Sequence, residues 1–318
     1  MADNALDNPV LQSEPAAREW LEAMLWPDGP VCQHCGVIGH ATKINSKSAN
    51  TRPGLYKCND CRKDFTVTVG TIFERSHVPL TKWIAATLML CASKKGVSAH
   101  QVHRTLGVTY KTAWFMCHRI REAMRDGKLG PLGGANKVVE IDETYVGGKA
   151  ANRKNVVPLK EPVLALVERD GRVRSHHVAR VNSKTLRPIL EAQLDKRTYV
   201  MTDDATVYPA LMKGFAAHST VNHSAQEYVR GYFHHTNTVE NYFSILKRGI
   251  IGTYHHVSPQ HLKRYLAEFD FRYNERIGLG VNDAERTTRA LKGIVGKRLT
   301  YRRTNELRDA PQAQDTVA

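Results

Sequence analysis

The sequence predicts a mixed α/β chain in several parts, with a small metal-held module and a helical region ahead of a larger sheet-bearing unit. Three observations carry this reading. Two C-x-x-C pairs, "CQHC" and "CNDC", fall within residues 32–61. Helical periodicity then runs through residues 79–126. From residue 138 the texture changes to strands interrupted by short helical pieces. At 318 residues, 42% of them hydrophobic, the chain is long enough to build more than one core.

Residues 1–27 form an acidic N-terminal segment. The module at 28–75 follows, with Cys32 and Cys35 separated from Cys58 and Cys61 by 22 intervening residues. Zinc takes four thiolates in a tetrahedron, and each C-x-x-C turn delivers two sulfurs to one metal. This spacing is close to that of a zinc ribbon, so a structural zinc on these four residues is expected. "GLYKCNDCRKDFTV" reads as strand, knuckle turn and second strand. His34 and His40 are read as surface residues, because four cysteines complete the site without them. Cys91 and Cys117 sit in apolar helical stretches and are assigned to the core.

In the region 79–126, Pro79 and Thr81 start a helix whose Trp83, Ile84, Leu88 and Leu90 make an apolar face. Two shorter helices follow, capped near Ser98 and Thr109 and joined by "LGVT". That pattern has the look of a helix-turn-helix, whose second helix would enter a major groove. Thr112, Ala113, Phe115, Met116 and Ile120 are its expected apolar face. Lys111, His118, Arg119 and Arg121 are its candidate phosphate contacts. A plain helical hairpin gives the same pattern. "DGKLGPLGGANK", with five glycines or prolines in twelve residues, reads as a linker, placed at 127–137.

The unit at 138–300 opens on "VVEIDETYV", a strand with Val139 and Ile141 on one face and Glu140 and Asp142 on the other. Two strands joined at Asp170-Gly171 come next, then a capped helix at "NSKTLRPILEAQL". "RTYVMTDD" is a short buried strand ending in acid. A helical piece near Tyr208–Met212, a strand near "STVNHS" and a helix holding Glu240 complete the order. Three strands, a helix, a strand and further helices, with acids on the first and fourth strands, is the order of a ribonuclease-H-like fold. Residues 301–318 are polar and read as a flexible tail.

Charge defines the partner. The net charge is +15, and residues 31–137 alone hold 17 Lys and Arg against 5 Asp and Glu, a net +12. A polyanion is the expected partner. The acidic N-terminus lacks the basic and apolar regions of a signal peptide, and the longest apolar run, "WIAATLMLCA", is half of a membrane span of about 20 residues. A soluble, cytoplasmic protein is expected.

Against that basic background, Asp142, Asp203 and Glu240 form a set. Asp203 ends the fourth strand, where α/β folds place chemistry. Clustered carboxylates with open positions suit Mg²⁺, and two such ions support phosphodiester chemistry. Each acid has neighbours that compete for the role: Glu140 on the same strand face, Asp204 beside Asp203, and Asn237 and Asn241 around Glu240.

The segments "CQHC…CNDC", "VEIDETYVGGK", "TDDATVY", "VNHS", "TNTVENYFSILKRGIIGTYHHVS" and "HLKRYLAEFDFRYNER" resemble those of bacterial insertion-sequence transposases with an N-terminal zinc ribbon and a DDE domain, the ISXO-type group. The resemblance spans about residues 20–300. It implies Asp142, Asp203 and Glu240 as the catalytic triad, with Mg or Mn as cofactor beside the structural zinc. It selects Asp203 over Asp204, with Tyr208 as the tyrosine of that motif. Lys247 is similar to the basic residue that follows the glutamate in such enzymes; with Arg248 it is a candidate DNA contact. His255 and His256 lie in a loop expected beside the site, and Arg272, Asn274 and Arg276 touch either DNA or the core. The implied function is binding of terminal inverted repeats, strand cleavage and transfer into target DNA by a homodimer or larger synaptic assembly, associated with the nucleoid. A regulator derived from a transposase and a metal-dependent nuclease are the alternatives.

Overall fold

Each C-x-x-C turn closes on its own backbone, and a small sheet grows from the pair. The computed structural model describes residues 8–45, 52–125, 127, 130–147, 160–221, 229–230 and 234–300. Within them β1 (Ala41–Lys43), β2 (Tyr56–Cys58) and β3 (Asp64–Phe65) pair antiparallel in that order. The strand expected after the second knuckle is only two residues long, because the chain turns at once: Val69 N–H bonds Thr66 O and Thr71 N–H bonds Thr68 O. Two helices precede the sheet, α1 (Pro9–Gln12) and α2 (Glu14–Leu25). The acidic segment therefore does not stand apart. Ala17 and Leu21 of α2 are fully buried, Glu22 accepts the Tyr56 hydroxyl at 2.8 Å, and Glu14 caps the next helix by accepting from Thr81 N at 2.8 Å.

That helix is α3 (Leu80–Ala92), followed by α4 (Ala99–Leu106) and α5 (Tyr110–Ala123). The expected caps form. Ser98 Oγ accepts from Gln101 N–H and Thr109 Oγ1 from Thr112 N–H, while Gly107 takes the left-handed conformation (φ 59°) that ends α4. On α3 the buried face is Trp83, Ile84, Thr87, Leu90 and Cys91; Leu88 is only half-buried.

The sheet of the second half contains β4 (Val138–Gly147), β5 (Lys160–Glu168), β6 (Val173–His177), β7 (Tyr199–Asp203) and β8 (Ala217–Val221) in the order β6-β5-β4-β7-β8. The first three pair antiparallel, whereas β4, β7 and β8 run parallel. Between them in sequence lie α6 (Ser183–Gln193) and α7 (Tyr208–Leu211), which cover one face with Val139, Ile141 and Val200 beneath them. A short hairpin, β9 (Val229–Arg230) with β10 (His234–His235), leads into α8 (Asn237–Gly249). A π-helical turn, Ile250–Tyr254, connects α8 to α9 (Pro259–Asn274), and both helices cover the other face over Val163, Ala165 and Val167. The alternation read from "VVEIDETYV" thus has two distinct destinations.

The last helix, α10 (Asp283–Lys292), does not stay with this sheet. Ala290, Leu291 and Ile294 enter the core built by the ribbon, α3 and α5, and Arg286 donates to Cys91 O at 2.9 Å. The division expected at 127–137 separates segments of sequence but not of packing. No helix among the described residues is long and apolar enough to cross a membrane. The "NHS" that follows Val221, linker positions 126, 128 and 129, and the tail at 301–318 lie outside the described residues.

Candidate active site and metal centre

The four cysteine sulfurs lie within 4.8 Å of one another, with Cys32–Cys61 and Cys35–Cys58 each 3.6 Å apart. Sulfurs about 2.3 Å from a tetrahedral zinc stand about 3.8 Å apart, so the cluster fits that ion. The two knuckles repeat one backbone plan. Gly36 N–H returns to Cys32 O and Arg62 N–H to Cys58 O, and both Gly36 (φ 80°) and Arg62 (φ 61°) are left-handed. The Cys61 and Asp60 amides face the Cys58 sulfur and, against the opposing effect of burial, lower its pKa to about 7. His34 and His40 are exposed and outside the cluster.

The carboxylates gather on the sheet face that α8 covers. The parallel register of β4 with β7 ends at Glu140↔Met201. Two residues further along each strand stand Asp142 and Asp203, so the two acids are level. Glu240 sits in the first turn of α8, exposed, and accepts from Thr236 Oγ1 at 3.1 Å. Burial pushes the Asp142 carboxyl up to about 7; the Glu143 N–H at 2.7 Å opposes this, and the charges of Asp203, Glu143 and Glu240 reinforce it. Three carboxylates felt by a fourth are a place where a divalent cation would be favoured. The donors are all oxygen, which fits Mg or Mn. They are less tightly drawn together than the sulfurs: among the described residues only the cysteines bring three or more such atoms within 4.8 Å.

The competing acids separate clearly. Glu140 is fully buried, accepting from Arg169 Nε at 2.6 Å and from Thr238 N and Val239 N at 2.8 and 3.0 Å. Its oxygens are occupied by the protein. Glu143 points to the opposite face, where the Tyr208 hydroxyl donates to it. Asp203 itself makes the turn bond, from Ala205 N at 3.2 Å, while Asp204 is exposed. Asn237 and Asn241 flank Glu240 on the surface of α8.

Three of the four candidate phosphate contacts on α5, His118, Arg119 and Arg121, are buried. Arg119 is 9% exposed, and its guanidinium donates to the carbonyls of Ile72, Glu74 and Leu299. Arg121 is 2% exposed, paired with Glu268 at 2.6 Å and set between the rings of Tyr254 and Tyr265. The reason is that α5 is buried on two sides, by the first core and by α9. His118 is buried with it, and that burial pushes its pKa down to about 2. Lys111 stays exposed at the start of α5, as do Lys247 and Arg248 at the end of α8. His255 and His256 are also exposed. Arg272, Asn274 and Arg276 pack: Arg272 binds Glu268, Asn274 brackets the Val173 backbone, and Arg276 donates to the Gly171 and Tyr273 carbonyls. Sequence reasoning missed Arg169 and Glu268. Each is a charged residue whose partner lies far along the chain, so no local spacing marks it.

Comparison with known proteins matches two parts of the chain. Residues 131–274 match the ISXO2-like transposase domain and residues 12–64 the transposase zinc-ribbon domain, together more than half of the chain. Both matches are to transposase domains. The second begins within the α1–α2 region, consistent with the packing of α2 on the ribbon. An uncharacterized protein in transposable element ISH50 of Halobacterium salinarum is 28% identical over 280 residues, 82% of this chain and 90% of that protein. The chain belongs to the ISXO-type insertion-sequence transposases.

Proposed function

We propose that this transposase binds the terminal inverted repeats of its element, cleaves DNA strands there and joins the freed ends to target DNA. The observation that carries the proposal is the placement of Asp142 and Asp203 level on adjacent parallel strands, with Glu240 brought over the same face by α8. The strand order β6-β5-β4-β7-β8, antiparallel then parallel, supports a ribonuclease-H-like reading of residues 138–274. The capped pair α4–α5 supports a helix-turn-helix. With Arg119 and Arg121 buried, the proposed DNA contacts narrow to Lys111, Lys247 and Arg248.

Asp142, Asp203 and Glu240 would hold Mg or Mn, which when bound supplies Lewis-acid activation of the attacking oxygen and charge stabilisation of the leaving one. The chain's own residues do the positioning. The sheet fixes two carboxylates, and α8 presents the third at one end and two cations at the other. Lys247 lies two helical turns beyond Glu240, close to the same helix face, where a phosphate lying along α8 can meet it. The first reaction is hydrolysis of a phosphodiester, which frees a 3′-hydroxyl and leaves a 5′-phosphate. In the second, that hydroxyl attacks a target phosphodiester, forming one bond as another breaks. Two copies of the chain, one per element end, are the simplest assembly.

Glu240→Gln tests this directly. It keeps size and hydrogen bonding while removing a charge that holds the ion. Cleavage and strand transfer of a terminal-repeat duplex should both fall by orders of magnitude, with binding to the duplex retained. Strand transfer near the wild-type rate in Mg²⁺ returns Glu240 to an ordinary surface charge. Cleavage without transfer in the wild type favours a nuclease, and binding alone favours a regulator.

A further inference from the structure

One layer beneath the three acids lies a buried ion pair that touches the neighbourhood of each. Glu140 is fully buried. Its Oε1 accepts from Arg169 Nε at 2.6 Å and from Thr238 Oγ1 at 2.9 Å. Its Oε2 accepts from Thr238 N at 2.8 Å and Val239 N at 3.0 Å. Thr236, the residue that should cap α8, makes no capping bond with its side chain. The carboxylate of a distant strand takes that place, satisfying two of the helix's first N–H groups and meeting its positive end. Arg169, from the β5–β6 turn, continues the contact: its Nη2 donates to His235 O at 2.8 Å and reaches Met201 Sδ at 2.9 Å. Apart from His235, these contacts stand one or two residues ahead of an acid: Glu140 before Asp142, Met201 before Asp203, Thr238 and Val239 before Glu240.

We propose that Glu140 and Arg169 are positioning residues that set the mutual spacing of Asp142, Asp203 and Glu240, and through it the affinity of the site for a divalent ion. The proposal rests on the functional reading above. A pair serving stability alone could sit anywhere in the core. This one joins the two strands and the helix that carry the acids, one or two residues from each acid.

The test uses full-length, zinc-loaded protein and Mn²⁺ as probe. Glu140→Gln keeps one acceptor oxygen but turns an amide toward the N–H groups of α8; Arg169→Lys keeps charge but loses the planar fork. In both, the apparent Mn²⁺ dissociation constant measured by calorimetry should rise roughly 10–100-fold. The kcat for cleavage of a terminal-repeat duplex should fall comparably while KM for the duplex holds, and the Thr238 and Val239 amides should exchange faster. Where Glu140→Gln does not fold, the pair variant Glu140→Gln/Arg169→Gln, which leaves no buried charge unpaired, is read in its place. Folded variants with wild-type Mn²⁺ affinity overturn the proposal, whatever their melting temperature. Wild-type Mn²⁺ affinity in Glu240→Gln overturns the triad reading at its own residue, and the positioning role with it.

Discussion

Two carboxylates two positions apart on one strand face, Glu140 and Asp142, differ because Glu140 is paired with Arg169 and two N–H groups of α8, whereas Asp142, with one N–H from Glu143, is desolvated among the charges of Asp203, Glu143 and Glu240. Residue type and spacing could not separate them; the partners do. Asp270 is a third kind. It is half-buried on α9, accepting from Tyr242 Oη at 2.6 Å and from Ser175 Oγ and N at 2.7 and 2.9 Å, and desolvation of the carboxyl pushes it up to about 7 despite those donors. In the unfolded chain an aspartate titrates near 4. Between about pH 4 and 7 the folded protein therefore holds a proton that the unfolded chain has lost. Stability falls as pH rises through that window, by up to about 1.4 kcal/mol per unit from this group, and levels off above it. Asp270→Asn should remove this component: denaturant unfolding at pH 5 and 7.5 should show a smaller drop in the variant than in the wild type. Equal drops would mean Asp270 is ionised in the fold.

At the scale of elements, α5 shows what a helix's sequence does and does not disclose. Its start was legible, since Thr109 is a local cap with a local partner. Its exposed side was not, since Arg121 finds Glu268 147 positions away and Arg119 finds carbonyls 45 to 180 away. An arginine that looks like a phosphate contact is here a core residue of a stacked, ion-paired layer. The two roles part in experiment. Arg121→Met leaves Glu268 short of a partner in a dry setting and should lower stability by about 3–5 kcal/mol. The salt dependence of DNA binding should be unmoved by it. Lys111→Ala should do the reverse, leaving the melt near wild type and reducing the slope of log K against log salt by about one. A reduced slope in a folded Arg121→Met protein would show that this side chain leaves the core to meet DNA. The sheet was the most legible element, because period-two alternation, the Asp170-Gly171 turn and the Asn182 cap are all written in neighbouring residues.

For the whole molecule, the cysteine spacing and the carboxylate set were readable, and the joining of the halves was not. Nothing in "DAERTTRALKGI" says that Ala290, Leu291 and Ile294 belong with α3 and the ribbon rather than with the sheet that precedes them. Burying apolar area is non-directional, so pattern gives a face but not its partner. The consequence for truncation is plain. A fragment of residues 138–318 exposes that face of α10 and the flank of α9 that meets α5. It should bind a hydrophobic dye and melt without a sharp transition, whereas the full chain should melt cooperatively. A monomeric fragment with a sharp melt would show that the second half is independent after all.

The packing of α5 on α9 through His118, His261 and Tyr265, together with α10 under α3, has a consequence for the DNA itself. Under the proposed function, the base pairs met by the start of α5 and the bond brought to Asp142 belong to surfaces locked in one frame. The protein is then a ruler. Each base pair inserted between repeat and cleavage point would carry the scissile bond about 3.4 Å along the axis and about a tenth of a turn around it. Cleavage should fall away after one or two insertions, with binding of the repeat unchanged. A flexibly tethered enzyme would tolerate the same insertions, and a flat response across a spacer series would show that the two ends of this molecule keep no fixed distance.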